Sequence, residues 1–320
     1  MERVTRKVQV TCGSTYIISL PPEWIKRNNI GKGSEVSVID QGSDLIVTAP
    51  ENSEPEITKK ITLPGSYTGK PLQRLLTSTY ISGFDTLVVV SKDKMTAEMR
   101  DDIKRFAKVV MGIEVIEETS RSIVLQNVLN ASTFPLQKAI RRMSLNVSTM
   151  IEDTIKAIQD EDDDLVENII LRDDEVDRYQ WYIYREVKIR CRDDRSNVYI
   201  LVLSRILERI ADHAVNICQA IKNRKGIKGK EKMAENLAYS KDVYNQAMET
   251  FYSKNFGEID GIINRKSEIT SRKYELLKIL SYDSVLSSIA EEISRIGLYG
   301  TDIAELAMDL IMSDKDEFSI

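Results

Sequence analysis

Leu207-Glu-Arg-Ile-Ala-Asp-His213, continuing as Ala-Val-Asn-Ile217, sets two carboxylates four residues apart, Glu208 and Asp212, among apolar residues at helical spacing. On a helix such a pair shares one face, with about 5 to 6 Å between Cβ atoms, and forms a two-carboxylate claw. At 100° per residue, Leu203, Ile206, Leu207, Ile210, Ala214, Ile217 and Ile221 make one apolar stripe, which assigns Glu208, Asp212 and Asn216 to the opposite, outward side. Upstream, Asp173-Asp-Glu-Val-Asp177 repeats the spacing. There Ile169, Val176, Ile183 and Val187 form the stripe, and Asp173 and Asp177 fall on its border.

These acids have two explanations. Hard carboxylate oxygens suit magnesium, manganese, calcium or iron better than zinc, which prefers His or Cys ligands. A wet surface is also affordable, because two unit charges about 6 Å apart in water repel by only roughly 0.7 kcal/mol. Arg205 and Arg209, each three residues from one of the acids, can offset that. His213, the one histidine of the chain, reads as a helix-flank residue beside the stripe.

Working outward, helix-period apolar positions run from Phe134 to residue 312 with few breakers and predict six helices, over 136–159, 162–192, 196–224, 231–254, 256–280 and 284–312. The run Asp160-Glu-Asp-Asp-Asp164 supplies an N-cap, Asp160 or Asp162, and acids that complement a helix dipole. The basic run Lys222-Asn-Arg-Lys-Gly-Ile-Lys-Gly-Lys-Glu-Lys232 reads as a solvated loop between two halves of three helices each, 134–224 and 231–312. Ile169–Arg178 aligns with Ile262–Ser271, and Glu208–Ile217 with Ser294–Ile303. The apolar spacing survives while the acids become Lys266, Thr270, Ser294 and Leu298, which rules against a second acidic site.

The other end of the chain follows a period of two. Val4, Val8 and Val10 share one parity, against Arg3, Thr5, Lys7, Gln9 and Thr11, and Arg6 breaks the apolar side. Thr15–Leu20 is a second strand, Pro21–Asn28 a short helix, and Glu35–Asp40 with Asp44–Ala49 a hairpin. Residues 1–33 carry six Lys or Arg against two acids, so this end is locally basic although the chain's net charge is -5. About 50 residues of short strands bury too little surface to stand alone, which predicts a dimer. Beyond a polar linker at 51–56, residues 57–130 alternate β-α-β-α-β-β and predict a small α/β sandwich of ferredoxin-like type, a spacer or oligomerisation module without a phosphate-binding glycine loop.

With 320 residues, 30% charged and 42% hydrophobic, the chain reads as globular and multidomain. It has no apolar run of the roughly 18 residues a membrane span needs. Three cysteines without CxxC spacing, and an N-terminus without an apolar signal core, predict a reducing cytoplasm. A nucleophile elbow, a Walker loop and a histidine-based acid–base pair are all lacking, so the expectation is a non-enzyme.

Two resemblances sharpen this picture. The stretch Gly13-Ser-Thr-Tyr-Ile-Ile-Ser-Leu-Pro-Pro-Glu-Trp24, with Gly31-Lys-Gly-Ser-Glu-Val36, resembles the SpoVT/AbrB swapped-hairpin family over residues 3–49. That resemblance implies an intertwined dimer, with Arg3, Arg6 and Lys7 as DNA phosphate contacts; solvated edge-strand charges are the plainer account of the same residues. Residues 134–312, through Asp173–Asp177 and Leu207–His213, resemble the phosphate-uptake regulator (PhoU) family, which implies two tandem three-helix bundles and a metal site at Asp173, Asp177, Glu208 and Asp212. The expected architecture is thus a small β swapped-hairpin N-terminal domain (1–50), an α/β sandwich spacer (57–130) and an all-α C-terminal domain of two tandem three-helix bundles. The expected function is a DNA-binding regulator of phosphate uptake, a homodimer or higher oligomer. The alternative is an adaptor that dimerises through its N-terminal domain and acts on a transporter or signalling protein.

Overall fold

The computed structural model describes residues 5–11, 13, 15–40, 42, 45–49, 56–129, 134–190 and 197–313. Arg3, Val4, Cys12 and Cys191 lie outside the described residues. The chain divides into two compact units, Met1–Ile57 and Thr58–Ile320.

In the first unit β1 (Gln9–Thr11) pairs antiparallel with β2 (Thr15–Ile17), and β3 (Ser37–Asp40) with β4 (Leu45–Thr48), as two separate two-stranded sheets. Between them lies the short helix α1 (Pro22–Arg27), started by a proline pair and ended at Asn28 and Asn29, the latter with φ 52°. The expected first strand is shorter than its alternation suggested, and Thr5–Val8 are irregular. A strand needs a partner for its ladder, and the register of β1 reaches only from Gln9 to Thr11. No described residue of this unit is buried, and Val8, Val10, Tyr16, Val38 and Leu45 are about 60% or more exposed. Isolated two-stranded hairpins are marginal in water, so this unit has an apolar surface without a core of its own.

The second unit begins with β5 (Thr58–Leu63), α2 (Gly69–Ile81), β6 (Thr86–Ser91), α3 (Ala97–Val109), β7 (Ile113–Glu118) and β8 (Ser122–Asn127). The sheet order is β5-β6-β8-β7, with β5 parallel to β6 and β8 antiparallel to both its neighbours. A two-layer sandwich is therefore present, but its β-α-β-α-β-β order and parallel β5–β6 pair separate it from the split β-α-β-β-α-β ferredoxin arrangement. Alternation buries Leu87 and Val89 of β6 and Ile123 and Leu125 of β8 against Leu72, Leu76 and Tyr80 of α2 and Met99, Ile103 and Phe106 of α3. Asp102 is nearly buried here because its Oδ2 accepts the Gly69 N–H at 2.6 Å, serving the open first turn of α2.

The helices that follow are α4 (Leu136–Asp160), α5 (Asp163–Arg190), α6 (Asn197–Ile221), α7 (Lys230–Ser253), α8 (Ile259–Ile263), α9 (Lys266–Leu280) and α10 (Ser284–Ser313). Helices α4–α6 form one three-helix layer and α7–α10 another, joined through one continuous apolar core. The helix expected over 256–280 is interrupted, by a 3-10 turn at Phe256–Glu258 and by the break between α8 and α9, where Gly261 and Asn264 weaken the helical ladder. Asp162 caps α5, its Oδ1 accepting from Asp164 N and Leu165 N at 3.0 Å each. The basic run at 222–232 is not a free solvated loop. Glu161 accepts from Gly226 N and Ile227 N and pairs with Lys230, Lys225 pairs with Asp163, Lys222 with Glu167, and Arg224 with Asp283. Acids at the α4–α5 corner thus clamp the connection between the two layers.

Helix α5 also backs the α/β sandwich. Arg185, 4% exposed, donates to the Phe84 carbonyl at 2.8 Å and to Glu186 Oε1 at 2.7 Å, and its guanidinium sits 5.4 Å from the Tyr80 ring centroid. Gly297 and Gly300 of α10 lie against Ser240 and against Val243 and Tyr244 of α7. A Cβ on Gly300 would lie 3.0 Å from Val243 Cγ1 and 3.1 Å from the Tyr244 backbone nitrogen, so the neighbour that must yield is main chain. Gly300→Val should therefore destabilise the helical part by about 2 to 3 kcal/mol, the usual cost of overpacking. Urea denaturation followed by circular dichroism checks this, and an unchanged midpoint would contradict the close approach.

Candidate functional site

The four acids singled out in the sequence come together in the groove between α5 and α6. Asp173, Asp177, Gln180 and Tyr184, spaced four, three and four apart, line the α5 side, while Arg205, Glu208, Arg209 and Asp212 line the α6 side. Burial is the first cause that raises Asp177 to about 7, followed by the charges of Asp173, Glu208, Asp212 and Asp174. Asp173 rises to about 6 for the same reasons, with Asp212 its strongest charged neighbour. Glu208 and Asp212 also move up by desolvation, against the pull of Arg205 and Arg209 on both and of His213 on Asp212. Asp212 nevertheless remains solvent-exposed, so its loss of water is partial.

The outward assignment of Glu208 needs correction. Its side chain is only 13% exposed, because α6 is packed by α4, α5 and α10 and the side away from its main stripe faces α5. Arg205 offsets it as expected, with Nη1 2.9 Å from Glu208 Oε1. Arg209 turns elsewhere and donates to Tyr299 Oη on α10 at 3.3 Å. His213 is a flank residue, its Nδ1 2.6 Å from Glu292 Oε2 and its ring 5.6 Å from that of Tyr299. Gln180 and Tyr184 were not singled out in the sequence, although the four-three-four spacing from Asp173 marks the polar edge of α5 on which they lie.

Asp173 Oδ1, Glu208 Oε2 and Gln180 Nε2 are buried without a well-formed hydrogen bond, although the Gln180 amide lies close enough to Glu208 to favour its charge. Buried orphan oxygens on hard donors are the chemistry a cation would satisfy. Geometrically the fit is incomplete: among the described residues no three His, Cys, Asp or Glu side chains converge closely enough to hold a metal ion. The acids share one electrostatic field without meeting at one point. Of the expected DNA contacts, Arg6 and Lys7 are exposed just ahead of β1, with Arg6 Nη1 donating only to the Thr5 carbonyl at 3.3 Å.

The helical part shares the fold of solved PhoU structures and follows a small β unit in the chain. The family model for the PhoU domain matches residues 140–221, the helices that form the groove. That for "Antidote-toxin recognition MazE, bacterial antitoxin" matches residues 9–56. The chain is 27% identical over 199 residues to a phosphate-specific transport system accessory protein PhoU homolog of Clostridium acetobutylicum, covering 55% of this chain and 90% of that protein. It is 33% identical over 93 residues to PhoU homolog 1 of Thermotoga maritima, of which it spans 40%. Crystal structures of PhoU from Pseudomonas aeruginosa and of the phosphate transport system regulatory protein PhoU from Streptococcus pneumoniae share the fold. Their TM-scores are 0.52 and 0.50, at 18% and 17% identity, covering 57% and 58% of this chain and 99% and 96% of theirs. Together these matches give the chain a MazE/AbrB-like N-terminal module and a PhoU-like helical part.

Asp173 and Asp177 hold their protons to higher pH in the folded chain than the ordinary 3.8, so between about pH 4 and 7 the folded state binds more protons than the unfolded one. The contribution of these two acids to stability is accordingly fully present below about pH 4 and is lost as pH rises through 6 and 7. Asp177→Asn should remove most of this slope and raise stability at pH 8 by on the order of 1 kcal/mol after solvent screening. Chemical denaturation at pH 5 and pH 8 provides the check; an equal loss in the variant would refute the assignment.

Proposed function

We propose that this protein is a cytoplasmic regulator of phosphate uptake that joins a DNA-contacting dimer module to a sensing helical domain. The observation that carries this reading is the fusion in one chain of a MazE/AbrB-like module with a PhoU-like helical part. The exposed apolar residues of the two hairpins support self-association, since pairing two copies supplies the core that one copy lacks. Arg6 and Lys7, with Arg3 before them, would then be doubled along one surface and meet backbone phosphates. In the helical part the groove acids are the proposed cation-responsive element. Asp173 offers an unpartnered oxygen and Glu208 one that only the Gln180 amide approaches, while Asp177 and Asp212 stand on the next turn of each helix. Loading would require these side chains to turn toward one another, which the repulsion among them opposes and a cation would favour.

Fluorescence anisotropy on DNA from the protein's own upstream region and from phosphate-transport genes, titrated with salt, tests the first part. The expected result is sequence-dependent binding whose log affinity falls with log salt at a slope of about -0.9 per neutralised phosphate. Charge reversal at Arg3, Arg6 and Lys7 should then cost at least tenfold in affinity. Indifferent binding would leave the N-terminal module a dimeriser and favour the adaptor reading. For the groove, Asp173→Asn combined with Asp212→Asn should lower the manganese or iron retained after dialysis; unchanged metal content would retire the quartet.

A further inference from the structure

Where the α/β sandwich meets the first helical layer there is an open cleft of about 510 Å³, within the size range of small-molecule sites. Its walls come from α2, α3 and α5, and none of the groove acids lines it. The interior is apolar and aromatic: Phe106 of α3 is 1% exposed, and Ile81 of α2 and Trp181 of α5 stand beside it. The rim is cationic and hydroxylated. Arg74 of α2 and Lys188 of α5 are exposed at it, and Thr77, Ser78 and Ser82 supply hydroxyls.

These cations differ from those of the basic run between the helical layers. Lys222, Arg224, Lys225, Lys230 and Lys232 each have an acidic partner, whereas among the described residues neither Arg74 nor Lys188 takes part in an ion pair. A third cation stands close by. Lys59 Nζ donates to the Ser82 carbonyl at 3.3 Å and to its hydroxyl, and partial burial first, then the charge of Lys188, disfavour its charged form. Positive groups therefore gather around an apolar floor, and no carboxylate is among the described residues that line it. A ligand that answers both features carries a flat ring for the floor and an anionic group for the rim.

We propose that this cleft binds a small heteroaromatic anion of nucleotide size, its ring against Trp181 and its charge between Arg74 and Lys188. Occupancy would bridge the α/β sandwich and α5, and so stabilise their junction in proportion to ligand concentration.

The chain has two tryptophans, Trp24 and Trp181, so Trp24→Phe in the full-length protein leaves Trp181 as the only indole. Titration with adenosine monophosphate should change its emission saturably, with affinity at least tenfold above that for inorganic phosphate. Arg74→Glu and Lys188→Glu should each weaken binding at least tenfold while circular dichroism and melting temperature stay unchanged, since both side chains are exposed. Equilibrium dialysis of the unaltered protein with labelled nucleotide reads the same equilibrium without the Trp24 substitution. Absence of saturable binding in both assays, equal affinity for phosphate and nucleotide, or indifference to both charge reversals would each overturn the proposal.

Discussion

Helix α5 has to satisfy three neighbours at once, and the second unit of the protein is arranged around that demand. Its apolar stripe, with Ile169, Val176, Ile183 and Val187, enters the common helical core. Its polar edge, with Asp173, Asp177 and Gln180, faces α6. Its C-terminal turns carry Arg185 and Trp181 into the α/β sandwich, where Arg185 holds the Phe84 carbonyl. A buried guanidinium is costly unless its donors are used; the Phe84 carbonyl and Glu186 take its two terminal nitrogens, while its Nε stays buried without a hydrogen bond. The same side chain therefore specifies where the sandwich attaches along the helix.

Filling three faces of one helix forces the acidic groove. Glu208 cannot stay fully solvated once α6 lies between α4, α5 and α10, and Asp177 cannot keep an ordinary carboxylate pKa once partly buried beside four other acids. Partial desolvation and like charge act in the same direction, so the groove resists full ionisation near neutral pH. A structure that retains such repulsion holds a place where protons or cations are favoured, which is the property a responsive element needs.

The opposite electrostatic solution operates at the connection between the helical layers. There the basic run and the acids of the α4–α5 corner neutralise one another, and Glu161, with φ 53°, turns its carboxylate onto Gly226 N and Ile227 N. Exposed ion pairs contribute little individually. Their role here is geometric: they set the path of the chain from α6 to α7 so that Gly297 and Gly300 can meet α7 at close range.

Much of this was legible in the sequence, because periodicity reports local structure. The 3.6-residue spacing of Leu203, Leu207, Ile210 and Ala214 marks α6, the apolar run from Leu87 to Val90 marks β6, and the motifs at Asp173 and Glu208 marked the acids that share the groove. Periodicity along one helix cannot say which faces its neighbours cover. Glu208 therefore read as outward, the Lys222–Lys232 run as solvated, and Gln180 and Tyr184 went unremarked. The parallel β5–β6 pair and the attachment of Arg185 to Phe84 were hidden for the same reason. They join residues far apart in the chain, whose meeting depends on long-range packing rather than on any local pattern.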